Sequence, residues 1–89
     1  MATSFVRHKV SDYKAWRKVY DAFGPIQKAK AVKAEAVYQA ADNPNDVTVT
    51  HEFASVKEAQ AFVASEELKK AMQSAGVIGA PTIWITNKA

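Results

Sequence analysis

Cysteine is absent from the chain. Disulfides, thiol nucleophiles and cysteine-held zinc or iron–sulfur centres are therefore excluded. Histidine occurs only twice, as His8 and His51, which leaves no ligand set for a structural metal, and none is expected. The three glycines form no phosphate-cradling loop, no dinucleotide fingerprint and no G-x-S-x-G nucleophile elbow. No apolar run approaches the roughly 18 residues of a membrane span. The first residues, Met1-Ala2-Thr3-Ser4-Phe5, show no charged segment leading into an apolar one, so a secretory signal is not expected. The expectation is a cytoplasmic protein with no membrane partner.

What is present describes one globular domain spanning residues 1–89. Hydrophobic residues make up 48% and charged residues 24%, as in ordinary folded chains. A chain this short buries only roughly 60–65% of the surface its unfolded form exposes, so it needs a well-packed core or a partner subunit. The formal charge of +3 raises the question of nucleic acid. The basic residues fall in three groups, Lys14/Arg17/Lys18, Lys28/Lys30/Lys33 and Lys69/Lys70, interleaved with alanine and with acids such as Asp12, Asp21, Glu66 and Glu67. That is the pattern of solvated helix faces, and no Gly-aromatic RNA-binding signature accompanies it.

Hydrophobic period divides the chain. Ser4–Val10 reads as a half-exposed strand. Ser11 or Asp12 then offers an N-cap, and Tyr13, Trp16, Tyr20 and Phe23 follow at spacings of three, four and three, a helical stripe. Gly24-Pro25 interrupts it, and Gln27–Val32 resumes helix. Glu35–Ala41 reads as strand, with helix as a competitor because of its alanines. Asp42-Asn43-Pro44-Asn45-Asp46 is a turn sequence, and Asp46–Ala54 is a β-branched strand. Ser55 and Glu58 form a capping box, Ser65 opens a further helix, and Gly76 ends it. After the loop Gly79-Ala80-Pro81, Thr82–Thr86 is the last strand.

The order βαββαβ with right-handed crossovers specifies an α+β ferredoxin-like fold: an antiparallel four-stranded sheet with helices on one face. The other face finds no cover within the chain. Packing against a second copy is the economical solution, so a homodimer is expected.

Val6-Arg7-His8-Lys9-Val10, followed by Asp12-Tyr13 and Trp16, resembles small bacterial members of the dimeric α/β-barrel superfamily. So does Asp42, Pro44, Asn45, then His51-Glu52-Phe53, Ser55, Ala59, Phe62, Ser65, Leu68, Met72 and Gly76-Val77. The similarity is to proteins like the antibiotic biosynthesis monooxygenases and covers about Phe5 to Ile85. It rests mostly on core and cap positions. It implies two sheets joined into a barrel, with a ligand pocket between sheet and helices or inside the barrel. Relatives include cofactor-independent oxygenases of polyketide aromatics, heme-degrading enzymes, isomerases and proteins of no known activity, and similar short chains are often labelled "cyclase". Fold alone does not fix function.

His8 is the first candidate for catalysis, because an imidazole near neutral pH can take a proton from a phenol or enol. The alternative is a histidine satisfied within the sheet or the dimer interface. His51 lies on the strand expected beside the first. If Val6 pairs with His51, then His8 pairs with Val49 and the imidazoles share a face; a one-residue slip separates them. Glu52 points opposite to His51 and suits an ion pair with Arg7 or a partner's cation. Arg7, Tyr38 and Trp84 are the candidate substrate-binding residues: a cation to hold an oxyanion, and two flat side chains to stack on an aromatic ligand. Tyr38 and Trp84 equally suit a dimer interface, and the Tyr13/Trp16/Tyr20/Phe23 stripe suits core packing. The surviving readings are a cofactor-independent monooxygenase or cyclase acting on a hydrophobic aromatic or polyketide-like compound, a non-catalytic ligand-binding or stress-related module, and a heme-binding or heme-degrading protein.

Overall fold

In the computed structural model, which describes residues Met1–Ala89, strand β1 (Ala2–Val10) alternates buried and accessible residues along its whole length. Its partner β3 (Asn43–Phe53) does the same from Val47 onward. The two run antiparallel, with Val6 opposite Val49. Ala2, Ser4, Val6, His8 and Val10 of β1 therefore share the inner face with Val47, Val49, His51 and Phe53 of β3. Strand β2 (Ala34–Ala40) pairs with β3, and β4 (Val77–Asn87) pairs with β1, giving the order β2-β3-β1-β4. This is the ferredoxin-like arrangement, and strand wins over helix at β2.

Helices α1 (Tyr13–Ala22), α2 (Gly24–Ala29), α3 (Val56–Val63) and α4 (Glu66–Ser74) belong to the two crossovers. Each long helix starts where a side-chain oxygen accepts from a free backbone N–H: Asp12 from Lys14, Ser55 from Glu58, Ser65 from Leu68. Gly76 ends α4 at φ +78°, where an added Cβ would stand 2.7 Å from Ser11 Oγ. One core cluster gathers Phe23, Phe53, Ala59, Phe62 and Leu68, and a second gathers Val10, Trp16, Val47, Val49 and Ala75. No helix is long and apolar enough to cross a membrane.

The structure corrects several boundaries. The turn expected at Asp42–Asp46 occupies only Ala41 and Asp42, and β3 begins at Asn43. Ala40 pairs with Asn43 but Gln39 with Val47, so Pro44, Asn45 and Asp46 bulge out of the β2–β3 ladder, while Asp46 stays paired with Lys9 of β1; a proline in such a bulge costs no cross-strand bond. The expected loop Gly79-Ala80-Pro81 is likewise inside β4: Arg7 pairs with Thr82 and Lys9 with Ile78, leaving those three residues opposite His8. Gly79 meets this bend with φ +71°. The second helical piece starts earlier than Gln27 and ends before Val32, because α2 spans Gly24–Ala29 and Ala31 takes a positive φ of 69°.

The outer face of the sheet is not uniformly apolar. Phe5 and Trp84 stack there with ring centroids 5.1 Å apart, and Tyr38 and Ile78 are exposed. Between them run Thr48, Thr50, Arg7 and Lys9.

Phe62 is 1% exposed and packs on Phe53, Phe23 and His51. Phe62→Ala should cost about 3–5 kcal/mol, read as a lowered urea midpoint; a loss below about 1 kcal/mol would place the core elsewhere.

Candidate functional site

Both histidines face inward, under the helices. His8 stands opposite Val47, and His51 stands opposite Ser4. The sequence left the relative facing of the two histidines open; the structure gives them a shared face, with a register two residues away from the Val6–His51 pairing considered there. Aromatic rings join the two imidazoles. Trp16 meets His8 edge-on at 5.8 Å and stacks on Tyr20 at 4.9 Å. Tyr20 lies 6.3 Å from His51, and His51 lies 4.7 Å from Phe62. The α1 stripe thus packs into the core as expected, and it also forms a wall.

Between this wall and the sheet is a cavity whose polar lining is His8, His51 and Gln27, with Tyr20 beside them. Val6, Val49, Leu68 and Met72 supply apolar surface. It holds about 420 Å³ of atom-free space including its mouth, and about 40 Å³ in which the centre of a water-sized sphere can move. A cavity holds a water once that second measure exceeds roughly 10–15 Å³. This one therefore has room for a small group.

Its polar atoms lack partners. Both ring nitrogens of His8, both of His51, Nε2 of Gln27 and Oγ of neighbouring Ser4 meet no hydrogen-bonding group of the protein. All four residues are at most 5% exposed. An unmet buried polar group costs about 1–3 kcal/mol, so a chain short of core has retained a cluster of costly groups in one place. Asp46, the remaining buried polar residue, shows the contrast: Arg7 grips its carboxylate through Nε at 3.1 Å and Nη2 at 2.7 Å.

Burial sets the electrostatics. Loss of solvent pushes His51 down to about 4, against a smaller upward pull from Glu35. The same loss lowers His8, with Asp46 pulling it up. Both imidazoles are neutral at pH 7, and each then offers one donor and one acceptor. Tyr20 moves the other way: burial first, then the Glu35 carboxylate, hold its proton more tightly. Its hydroxyl donates to Glu35 Oε2 at 2.7 Å. Asp46 lies below the usual carboxylate range, chiefly because it accepts from Arg7.

The five residues singled out from the sequence divide between the two faces. His8 and His51 share the cavity. Arg7 lies on the outer face, bound to Asp46 rather than Glu52. Trp84 is on the outer face against Phe5, and Tyr38 pairs with Thr48 there. The sequence reading missed Tyr20 and Gln27 as cavity residues. Gln27 was detectable: it falls four residues after Phe23 and seven after Tyr20, a polar group in register with an apolar stripe. No three His, Asp or Glu side chains come together as a possible metal site.

Solved structures of the same architecture are numerous. A structure described as an antibiotic biosynthesis monooxygenase superposes over 100% of this chain and 99% of its own, with TM-score 0.76 and 10% identity. A Bordetella bronchiseptica protein provisionally named for the same activity matches 99% of this chain and 96% of its own, at TM-score 0.82 and 12% identity. SnoaB, a cofactor-independent oxygenase from Streptomyces nogalater, covers 99% of this chain and 92% of its own, at TM-score 0.80 and 9% identity. This chain has the antibiotic biosynthesis monooxygenase fold. At these identities the likeness concerns architecture alone. No family model matches the sequence, and no curated protein does.

An imidazole that is harder to protonate folded than unfolded destabilises the fold in acid. Both states are neutral at pH 7; below about 6.5 the unfolded chain takes up a proton that His51 refuses until about pH 4. Stability should therefore fall across that window by about 3 kcal/mol on account of His51, and His8 adds to the slope. Urea midpoints of wild type and His51→Phe at pH 7 and pH 4.5 check this: the variant should lose distinctly less on acidification, and parallel losses would contradict it.

Proposed function

We propose that the protein binds a small hydrophobic, aromatic compound in the cavity between sheet and helices, and that His8 acts there as a general base. The observation that carries the reading is the convergence of unpartnered His8, His51 and Gln27 atoms on one otherwise apolar cavity. Pockets of this composition suit ligands with a flat apolar body and a few oxygens. A phenol or enol group placed at His8 could pass its proton to a neutral imidazole. The resulting electron-rich anion is what a cofactor-free reaction with dioxygen, or an internal ring closure, requires. The fold shared with a cofactor-independent oxygenase supports this direction. In the same proposal residues 1–89 act as one cytoplasmic domain and no cofactor takes part.

A non-catalytic binding module would use the same cavity without proton transfer. The absence of a cation beside the imidazoles favours it, since Arg7 points away and is engaged by Asp46. Heme is the poorer occupant: a macrocycle needs a broad slot beside an axial histidine, and the space at His8 and His51 suits a much smaller group.

The outer face carries a second part of the proposal, a homodimer formed sheet to sheet. Trp84 is 41% and Tyr38 57% exposed, and the Phe5–Trp84 stack supplies an apolar centre of the kind that interfaces use.

Three measurements test these readings. Phenolic and naphtholic compounds screened by thermal shift should include binders, and His8→Leu should abolish any turnover at least about 100-fold while retaining binding; unchanged turnover would remove His8 from the chemistry. Sedimentation at micromolar concentration should give a dimer for the wild type and a monomer for Trp84→Glu; a wild-type monomer would end the interface proposal.

A further inference from the structure

The inner cavity is too small to enclose a whole multi-ring compound, so any such ligand must protrude. The wall at Gln27 shows where. Gln27 lines the inner cavity, and it also lines a basin on the protein surface. The basin offers about 520 Å³ to the centre of a water-sized sphere and is bordered by Lys28, Lys33 and Glu35. Gln27 is 5% exposed, and its Nε2 donor meets no acceptor in good hydrogen-bond geometry, its nearest influence being on the Tyr20 hydroxyl, whose proton it loosens slightly. Lys28 and Lys33 enter none of the protein's three ion pairs. Glu35, the basin's one acid, is occupied by the Tyr20 hydroxyl. Gln27, the residue the two spaces share, thus presents a buried donor, and the basin beside it presents two uncommitted cations.

From this geometry we infer that the basin is the outer half of the binding site and receives the acidic group of an aromatic carboxylic acid whose ring system enters the inner cavity past Gln27. This rests on the reading of the inner cavity as the ligand site, and it specifies the ligand class. A carboxylate beside Gln27 takes a hydrogen bond from Nε2 and the field of Lys28 and Lys33, and charge-assisted contacts of this kind exceed those of a neutral amide. The ring then meets Tyr20 and Trp16, and its far edge reaches the imidazoles. A cationic ligand would instead face Lys28 and Lys33, two cations against the basin's single carboxylate, Glu35.

Calorimetry with 2-naphthoate and its neutral isostere 2-naphthamide tests the inference on the intact protein. The wild type should bind the carboxylate about tenfold tighter than the amide at low salt, a preference that shrinks in high salt. Lys28→Gln with Lys33→Gln, at two exposed positions, should remove that preference and leave amide binding within about twofold. Gln27→Leu should weaken both probes, because either carbonyl oxygen can accept from Nε2. Equal affinity for acid and amide in the wild type, or a preference that survives loss of both lysines, overturns the inference while the cavity reading stands. Failure of both probes to bind overturns the two together.

Discussion

The constraint on which this fold turns is the burial of two uncharged imidazoles in a core that has little apolar surface to spare. His8 and His51 occupy inner-face positions alongside Val6, Val47 and Val49, where a polar ring without a partner is costly. Around them the protein has placed Trp16, Tyr20 and Phe62, flat rings that exclude solvent and depress the basicity of both histidines. The remainder of the architecture follows from holding that aromatic wall against the sheet. Asp12 fixes the start of α1 so that Trp16 falls over His8, and the α3 capping residues Ser55 and Glu58 fix Phe62 over His51.

The two faces of the sheet have consequently diverged. The inner face holds unmet polar groups in a shielded space, and these keep neutral donors and acceptors available there. On the outer face Arg7 and Asp46 satisfy each other, and threonines occupy the centre. An arginine committed in this way cannot serve a ligand on the far side of the strand.

Much of the architecture was legible in the sequence because local signals and the overall fold agree. The serine caps, the stop at Gly76, the α1 stripe and the alternation in β1 and β3 each report a structural need directly. The common facing of His8 and His51 was not legible, because it depends on the strand register, and strand period alone does not choose among pairings one residue apart. The turns were misjudged for one reason. Proline and glycine signal a break in regular hydrogen bonding, and a bulge breaks the ladder without ending the strand. Arg7, Tyr38 and Trp84 were chosen for side-chain chemistry, which carries no information on which face they occupy. Tyr20 and Gln27 were overlooked because a stripe that packs a core and a stripe that lines a pocket have the same spacing.

The bulge at Gly79-Ala80-Pro81 has a bearing on how copies of this chain can meet. β4 is a border strand, and a straight border is an open template on which further chains can build a ribbon without limit. Here a left-handed glycine bends that border, and a proline within the bend has no amide proton to offer. The opposite border, β2, is only seven residues long and carries Glu35 and Gln39. With both rims poorly suited to ladder growth, the broad sheet surface is what remains for the sheet-to-sheet pairing proposed above, a mode that would close after two copies instead of propagating.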